Sequence, residues 1–203
     1  QKFVDYLSAT DQQKALYDII KDLQSGTAMN RFVLGDVGSG KTIVAHLAMY
    51  MLYEKGFQSV LLAPTEILAM QHYHNFNKVF ESLNIRTALL TSSISNEQKS
   101  EILKNLENGK INMLFATHTC VQDCVRFANL KLAVIDEAHK FGVKQKADLL
   151  AKGDGVHCIS MSATPLPRSF AMTVFGDLKI SKLYKAQNRM SNIKTYSLRS
   201  NKI

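Results

Sequence analysis

The sequence predicts a doubly wound α/β domain, a mostly parallel sheet with helices on both faces, and three observations carry that expectation. Short apolar runs alternate with longer stretches of helical spacing along the chain. Within the runs apolar and polar residues scarcely alternate, which is the pattern of strands covered on both faces. A glycine-rich phosphate-binding pattern stands between one such run and the helical stretch that follows it. Taken in order, residues 11–24 have the spacing of a helix, and residues 31–34 form the first strand. Residues 42–54 read as helix and 59–63 as strand, then 66–82 as helix and 86–90 as strand. A helix over 95–108 leads to a strand at 112–116, a shorter helical stretch over 118–126 leads to a strand at 131–135, and a sixth strand follows at 157–161. Strand and helix in strict turn place a ligand at the carboxyl ends of the strands.

Composition bounds the answer without choosing it. The chain has 203 residues, 46% hydrophobic and 21% charged, which is enough for one large domain or two small ones with a proper core. Ten Gly and three Pro exclude collagen-like and low-complexity classes. No run of about 18 apolar residues offers a membrane-spanning helix. The polar start, Gln1 to Asp5 without an initiator Met, is read as lacking a signal peptide and as excised from something longer. Cys120, Cys124 and Cys158 show no C-x-x-C spacing, so a zinc or redox motif is not expected and a reducing cytosol is the simplest compartment. Cys120 and Cys124, four apart, are expected on one helical face as small buried hydrophobes. The excess of 25 Lys and Arg over 17 Asp and Glu, a net charge of +8, favours a polyanionic partner only weakly. No linker composition interrupts the pattern before about Asp177, and the polar, basic residues 185–203 read as a terminal strand leading into a hinge.

Gly35, Asp36, Val37, Gly38, Ser39, Gly40, Lys41 and Thr42 satisfy G-x-x-x-x-G-K-[ST] directly after a predicted strand and before a predicted helix. A chain wrapping a diphosphate must turn successive backbone N–H groups inward, and a Cβ at Gly38 or Gly40 would obstruct that. Lys41 brings a cation to the β and γ phosphates, the Thr42 hydroxyl can ligate Mg²⁺, and the positive end of the next helix adds to the anion site. The predicted strand at 131–135 delivers two acids at its carboxyl end, Asp136 to hold Mg²⁺ and Glu137 to polarise the attacking water. The fold expected is therefore that of a P-loop NTPase using ATP and Mg²⁺.

Other strand ends carry small hydroxyl residues. Ser162, Ala163 and Thr164 follow the sixth strand and suit a relay that senses the γ phosphate. Pro64 and Thr65, the loop from Thr91 to Ser93, and Thr117 and His118 stand at three further ends, where hydroxyls, backbone N–H groups and helix N-termini can bind a sugar-phosphate chain.

The segments "GDVGSGKT", "APTEILAMQHY", "THTCVQ", "VIDEAHKFGVKQ" and "SATPLPRSFAMTVFGDL", in this order, resemble the first RecA-like motor domain of superfamily 2 helicases. More narrowly they resemble the RecG family of bacterial branch-migration helicases, which remodel stalled replication forks and Holliday junctions. The likeness covers residues 7–178, and the run after "SATP" is its specific part. It implies that residues 35–42 bind the triphosphate, that Asp136 and Glu137 are the motif II acids, and that Gln13, three residues after Thr10, reads adenine. It implies DNA-backbone contacts at Pro64, Thr65, Thr117 and His118, and coupling through His139, Ser162, Ala163 and Thr164. It further implies a motor domain over residues 1–184, an exit segment over 185–203, and forked or branched DNA as the partner. A second RecA-like domain and an amino-terminal wedge would lie outside the chain, in a bacterial, cytoplasmic, monomeric protein. Without the arginines of a second domain the chain alone is expected to hydrolyse ATP very slowly. The chain departs from the family at Ala138, where Gln is usual, at Lys140, where Arg is usual, at Ser92, where Gly is usual, and in residues 185–192, which lack a Pro-Pro-Gly-Arg turn.

Other readings rank below this one. The transcription-repair coupling factor has a related motor, but its P-loop carries Phe where this chain has Ser39. A GTPase would show N-K-x-D after a strand, whereas Asn77, Lys78, Val79 and Phe80 lack the Asp and fall in a predicted helix. A noncatalytic DNA-binding module would explain the charge but not the coincidence of Lys41, Thr42, Asp136 and Glu137. Met49, Tyr50, Met51 and Met70 are read as core residues, and His46 and His157 as packing or surface residues. His72 and His74, two apart on a helix, do not face each other.

Overall fold

Asp11 in the first turn and Lys21 in the last complement the helix dipole, and Gln12, Ala15, Leu16 and Ile19 form one buried stripe, so α1 runs Thr10–Leu23. The computed structural model describes residues 10–164 and 178–184. β1 (Asn30–Gly35) leads to α2 (Lys41–Tyr53), β2 (Gln58–Leu62) to α3 (Glu66–Val79), and β3 (Thr87–Leu90) to α4 (Asn96–Glu107). Then follow β4 (Met113–Ala116), β5 (Leu130–Ile135), α5 (Val143–Leu150), β6 (His157–Ser162) and β7 (Lys179–Leu183).

The sheet order is β3-β4-β2-β5-β6-β1-β7, and every described pairing is parallel. Successive strand residues feed opposite faces. Val33, Leu61, Phe115, Val134 and Ile159 pack with α1, α2 and α3, whereas Phe32, Val60, Leu114, Ala133 and Cys158 pack with Leu106 of α4 and Leu149 of α5. The doubly wound architecture expected from the apolar runs is the one observed, because both faces of each central strand are covered.

Four local expectations require correction. The helix over 118–126 is only a 3-10 turn, His118–Val121, because the backbone extends at Gln122, φ −56 and ψ 145, where Lys152 Nζ donates to the Gln122 and Val125 carbonyls at 2.8 and 3.0 Å. Cys120 and Cys124 therefore do not share a helical face: Cys120 is buried and Cys124 exposed. α3 ends at Val79, a 3-10 turn Glu81–Leu83 follows, and the chain leaves through Asn84 at φ 54. Met70 is 45% exposed, on the outer face of α3 rather than in the core.

Two elements were not anticipated. α5 is short, and β7 reads as polar because an edge strand with Lys179 and Lys182 exposed keeps little apolar pattern. The residues after "SAT" that carry the specific part of the resemblance, 165–177, and the exit segment 185–203 lie outside the described residues.

Candidate nucleotide site and the strand-end loops

β1 ends at Gly35, where an added Cβ would stand 2.4 Å from Ser39 Oγ and 2.7 Å from the Leu183 carbonyl, so the loop starts packed against β7. Ser39 N–H donates to Asp36 O at 3.1 Å to close the turn. Gly38 and Gly40 lie at φ 82 and 91, conformations L side chains rarely adopt. Gly40 is the N-cap of α2 and brings no side chain to the first-turn N–H groups, which therefore stay available to an anion at the positive end of the helix. Lys41 Nζ arches back over the loop and donates to the carbonyls of Gly35 at 2.6 Å and Asp36 at 3.1 Å. Asp36 and Val37 form the exposed crest. A cleft of about 330 Å³ beside the loop is lined by Gly38, Gly40, Lys41, Thr42, His46 and Asn75 among others.

α1 braces this loop through a residue that sequence reasoning passed over. Gln12 is buried and its Nε2 donates to Ser39 O at 2.8 Å, whereas Gln13 next to it is exposed. The signal was available: 12, 15, 16 and 19 fall on one helical face.

At the end of β5, Asp136 N–H still donates to Leu62 O at 2.9 Å, so the sheet fixes its backbone. Its Oδ1 accepts from Glu137 N–H at 3.0 Å and its Oδ2 meets His72 Nε2 of α3 at 2.7 Å. Glu137 has φ 45 and ψ 51, a left-handed conformation, and its carbonyl accepts from Lys140 N–H at 2.8 Å. His139 Nδ1 lies 3.2 Å from Ser162 Oγ and 3.5 Å from Glu137 Oε2. Ser162 Oγ in turn accepts from Thr164 N–H at 3.1 Å and pairs with Thr164 Oγ1 at 3.0 Å, with half-buried Ala163 between them.

The strand order explains why these residues meet. β5, β6 and β1 are adjacent, so Asp136 and Glu137, Ser162 to Thr164, and the glycine loop fall on one half of the carboxyl edge. β3, β4 and β2 carry the other half, with Thr91 to Ser93, Thr117 and His118, and Pro64 and Thr65 at their ends. There Thr65 is exposed and caps α3 by accepting from Leu68 N–H at 3.3 Å. Ser92 donates through both its N–H and its hydroxyl to Glu66, and these bonds with those of Ser93 hold the Glu66 carboxyl below the usual carboxylate range. Ser92, which stands where Gly was expected, thus ties two loops together. Thr117 is buried with its hydroxyl toward Thr119, which leaves His118 as the exposed side chain of that pair.

Comparison with known proteins identifies the family and the fold. Residues 9–173 match the DEAD/DEAH box helicase family. The ATP-dependent DNA helicase RecG of Aquifex aeolicus is 46% identical over 172 residues, 84% of this chain and 22% of that protein. RecG of Borreliella burgdorferi is 43% identical over 189 residues, 93% of this chain and 28% of that protein. The chain therefore spans about a quarter of the length of these relatives. A solved structure of RecG bound to a three-way DNA junction superposes with a TM-score of 0.77 at 40% identity, covering 91% of this chain and 25% of that one. A DEAD box protein from the hyperthermophile Methanococcus jannaschii, at 22% identity and a TM-score of 0.67 over 86% of this chain and 49% of that one, shares the fold. With the glycine loop, the paired acids and the RecA-like sheet all in place, the chain belongs to the DEAD/DEAH box helicase family.

Proposed function

We propose that this chain is the ATP-binding motor domain of a RecG-type DNA helicase or translocase that remodels stalled forks and Holliday junctions. The observation that carries the reading is the division of one sheet edge into a half bearing the glycine loop with Asp136 and Glu137, and a half bearing hydroxyl-rich loops suited to a nucleic-acid backbone. The residues present fit magnesium ATP. The loop turns through two positive-φ glycines, the α2 N-cap brings no side chain to the first-turn N–H groups, and Lys41 already holds its charge over the loop. Thr42 and Asp136 would hold Mg²⁺, which supplies neutralisation of phosphoryl charge. Lys41 pairs with the β and γ phosphates, the loop N–H groups fix their orientation, Gln13 faces solvent where it can read the base, and Glu137 orients water for in-line attack. His139, Ser162 and Thr164 form a hydrogen-bonded chain beside Glu137 that would report a change at the γ phosphate. Pro64, Thr65 and His118, with the backbone of Thr117, would touch the DNA backbone.

In this reading residues 1–184 form the motor domain, 185–203 lead out of it, and a second RecA-like domain and a wedge domain complete a monomeric cytoplasmic enzyme. Among the described residues no helix is long and apolar enough to cross a membrane. The direct test is equilibrium binding of a fluorescent ATP analogue with Mg²⁺ to the chain and to Lys41→Ala. Loss of binding with an unchanged circular dichroism spectrum is expected, and unchanged binding would overturn the nucleotide site. Fork-selective, DNA-stimulated ATPase activity of the chain alone would overturn its reading as half of a motor.

A further inference from the structure

His72, which does not face His74 two residues on, is buried at 6% exposure and points at the acid proposed to hold the metal. A carboxylate oxygen accepts, so the 2.7 Å bond to Asp136 Oδ2 assigns a ring proton to Nε2. Among the described residues Nδ1 has no hydrogen-bond partner, so the bond to Asp136 sets the ring's orientation. The other oxygen, Oδ1, is anchored by Glu137 N–H. Each carboxylate oxygen therefore has one lone-pair direction occupied and one left, and the plane of the group is fixed from two sides. The anchors differ in kind. Glu137 is the next residue and sits in a left-handed conformation, whereas His72 belongs to α3, which is seated in the core by Ala69 and Phe76, both 0% exposed. His46 of α2 stands edge-on 6.0 Å from His72, and burial first, then His72, push it down to about 3, so no cation behind His72 competes for Asp136.

We propose that His72 is a positioning residue for the nucleotide site, holding the Asp136 carboxylate from α3 in the orientation that magnesium requires. The proposal rests on the reading of Asp136 as the acid that holds magnesium. It also joins the two halves of the sheet edge, because α3 starts at the β2 loop proposed to touch DNA, while Asp136 lies at the end of β5 on the nucleotide half. A buried histidine could instead serve the core alone, and such a pair adds little net stability over apolar packing. The two roles predict different measurements.

The test uses the 203-residue chain and its His72→Leu, His72→Asn and His72→Gln variants. Mn²⁺ is titrated by electron paramagnetic resonance with an excess of a non-hydrolysable ATP analogue, and affinity for the fluorescent analogue is measured in EDTA. Outer-shell partners of metal ligands are typically worth roughly 10–100-fold in metal affinity. His72→Leu and His72→Asn are expected to lose that much Mn²⁺ affinity while metal-free nucleotide affinity stays unchanged. His72→Gln, whose amide nitrogen reaches the Nε2 position, is expected to recover most of it. Equal Mn²⁺ affinity of the Gln and Asn variants would overturn the proposal, and that pair decides even if the Leu variant does not fold. Failure of the wild-type chain to bind Mn²⁺ with nucleotide would instead refute the nucleotide site itself.

Discussion

Glu137 is placed where a side chain is costly to keep, and the cost can be measured. At φ 45 and ψ 51 its Cβ crowds the following carbonyl, a strain of about 1–2 kcal/mol for an L residue. Replacing it by Ala removes the carboxylate and keeps the strain, whereas replacing it by Gly removes both. Gly raises the entropy of the unfolded chain, which costs roughly 0.5–1 kcal/mol in ordinary positions. The balance leaves Glu137→Gly more stable than Glu137→Ala by about 0.5–1 kcal/mol, or about 2 °C in Tm for a domain of this size. The exposed helical residue Ala147 in α5 supplies the control, because Ala147→Gly should destabilise by about 1 kcal/mol, the opposite sign. Urea unfolding of the four chains, with m values held equal, reads the comparison. Both Glu137 variants should also lose hydrolysis if this carboxylate orients water. A Glu137→Gly chain no more stable than Glu137→Ala would show that the left-handed conformation stores no strain, and the account of this turn would fail.

Gly40→Ala should weaken nucleotide binding by at least about tenfold, since at φ 91 the added Cβ would stand 2.0 Å from Gln12 Nε2 and push the loop off its brace; isothermal titration with ATP and Mg²⁺ reads it. Asp22→Ala should cost about 1.5–3 kcal/mol in urea unfolding, because Arg31, with a side chain 7% exposed, would lose the carboxylate 2.7 Å away and keep only Asp18 at 3.4 Å. Burial raises the Asp22 carboxyl, but the bonds and charges of Lys179 and Arg31 outweigh it and hold its pKa below the usual value. This contribution is therefore complete above about pH 4 and lost as the solution is acidified further. His46 acts at higher pH. Burial, reinforced by His72, lowers it from 6.5 to about 3, so between those values the unfolded chain binds a proton that the folded chain does not. Stability should be full above 6.5 and decline from there toward 3, with a lower urea midpoint at pH 5 than at 7.5 and a smaller difference in His46→Leu. Equal midpoints in the parent chain would refute this.

The residues that one short window determines were legible in the sequence. The glycine loop needs only a strand, two glycines and a helix start within eight residues, and Asp136 and Glu137 need only the end of an apolar run. Five of the six strand positions were legible because burial on both faces leaves continuous apolar runs, and β3, at the sheet edge with alternating burial, because Ala88 and Leu90 still face the core. Contacts made across the fold were not. His72 meets Asp136 from 64 positions away and Glu66 meets Ser92 from 26, and no local pattern marks either. Gln12 was missed although its face was readable, because its target, the Ser39 carbonyl, is backbone. The stretch 118–126 reads as helix although the backbone extends at Gln122, φ −56 and ψ 145, where a lysine 30 residues downstream also binds the carbonyl, a contact that no local pattern marks.

The two ends of the sheet are held together by different chemistry, and the difference suits a motor. Toward the amino end Arg31 of β1 donates to Asp22 and Asp18 of α1 and to Ser181 of β7, while Lys179 closes on Asp22. At its centre Arg31 and Asp22 are buried, with Asp18 and Lys179 closing on them from the surface, so the network resists opening. At the carboxyl edge the loops are joined by separate links: Gln12 to Ser39, Glu66 to Ser92, His72 to Asp136, and His139 to Ser162. Such a link contributes about 0.5–1.5 kcal/mol net where both partners are neutral and about 1.5–3 kcal/mol where one is a carboxylate, and each can be exchanged singly for a bond to a ligand. On the function proposed above, strand ends fixed at one side and loosely laced at the other would let nucleotide or DNA rearrange the loops one link at a time without unseating the sheet. The link from His72 to Asp136 is the one that joins α3, which begins after β2, to the acid at the end of β5, so in the proposed motor it is where a shift of α3 on DNA would first reach the acid proposed to hold magnesium.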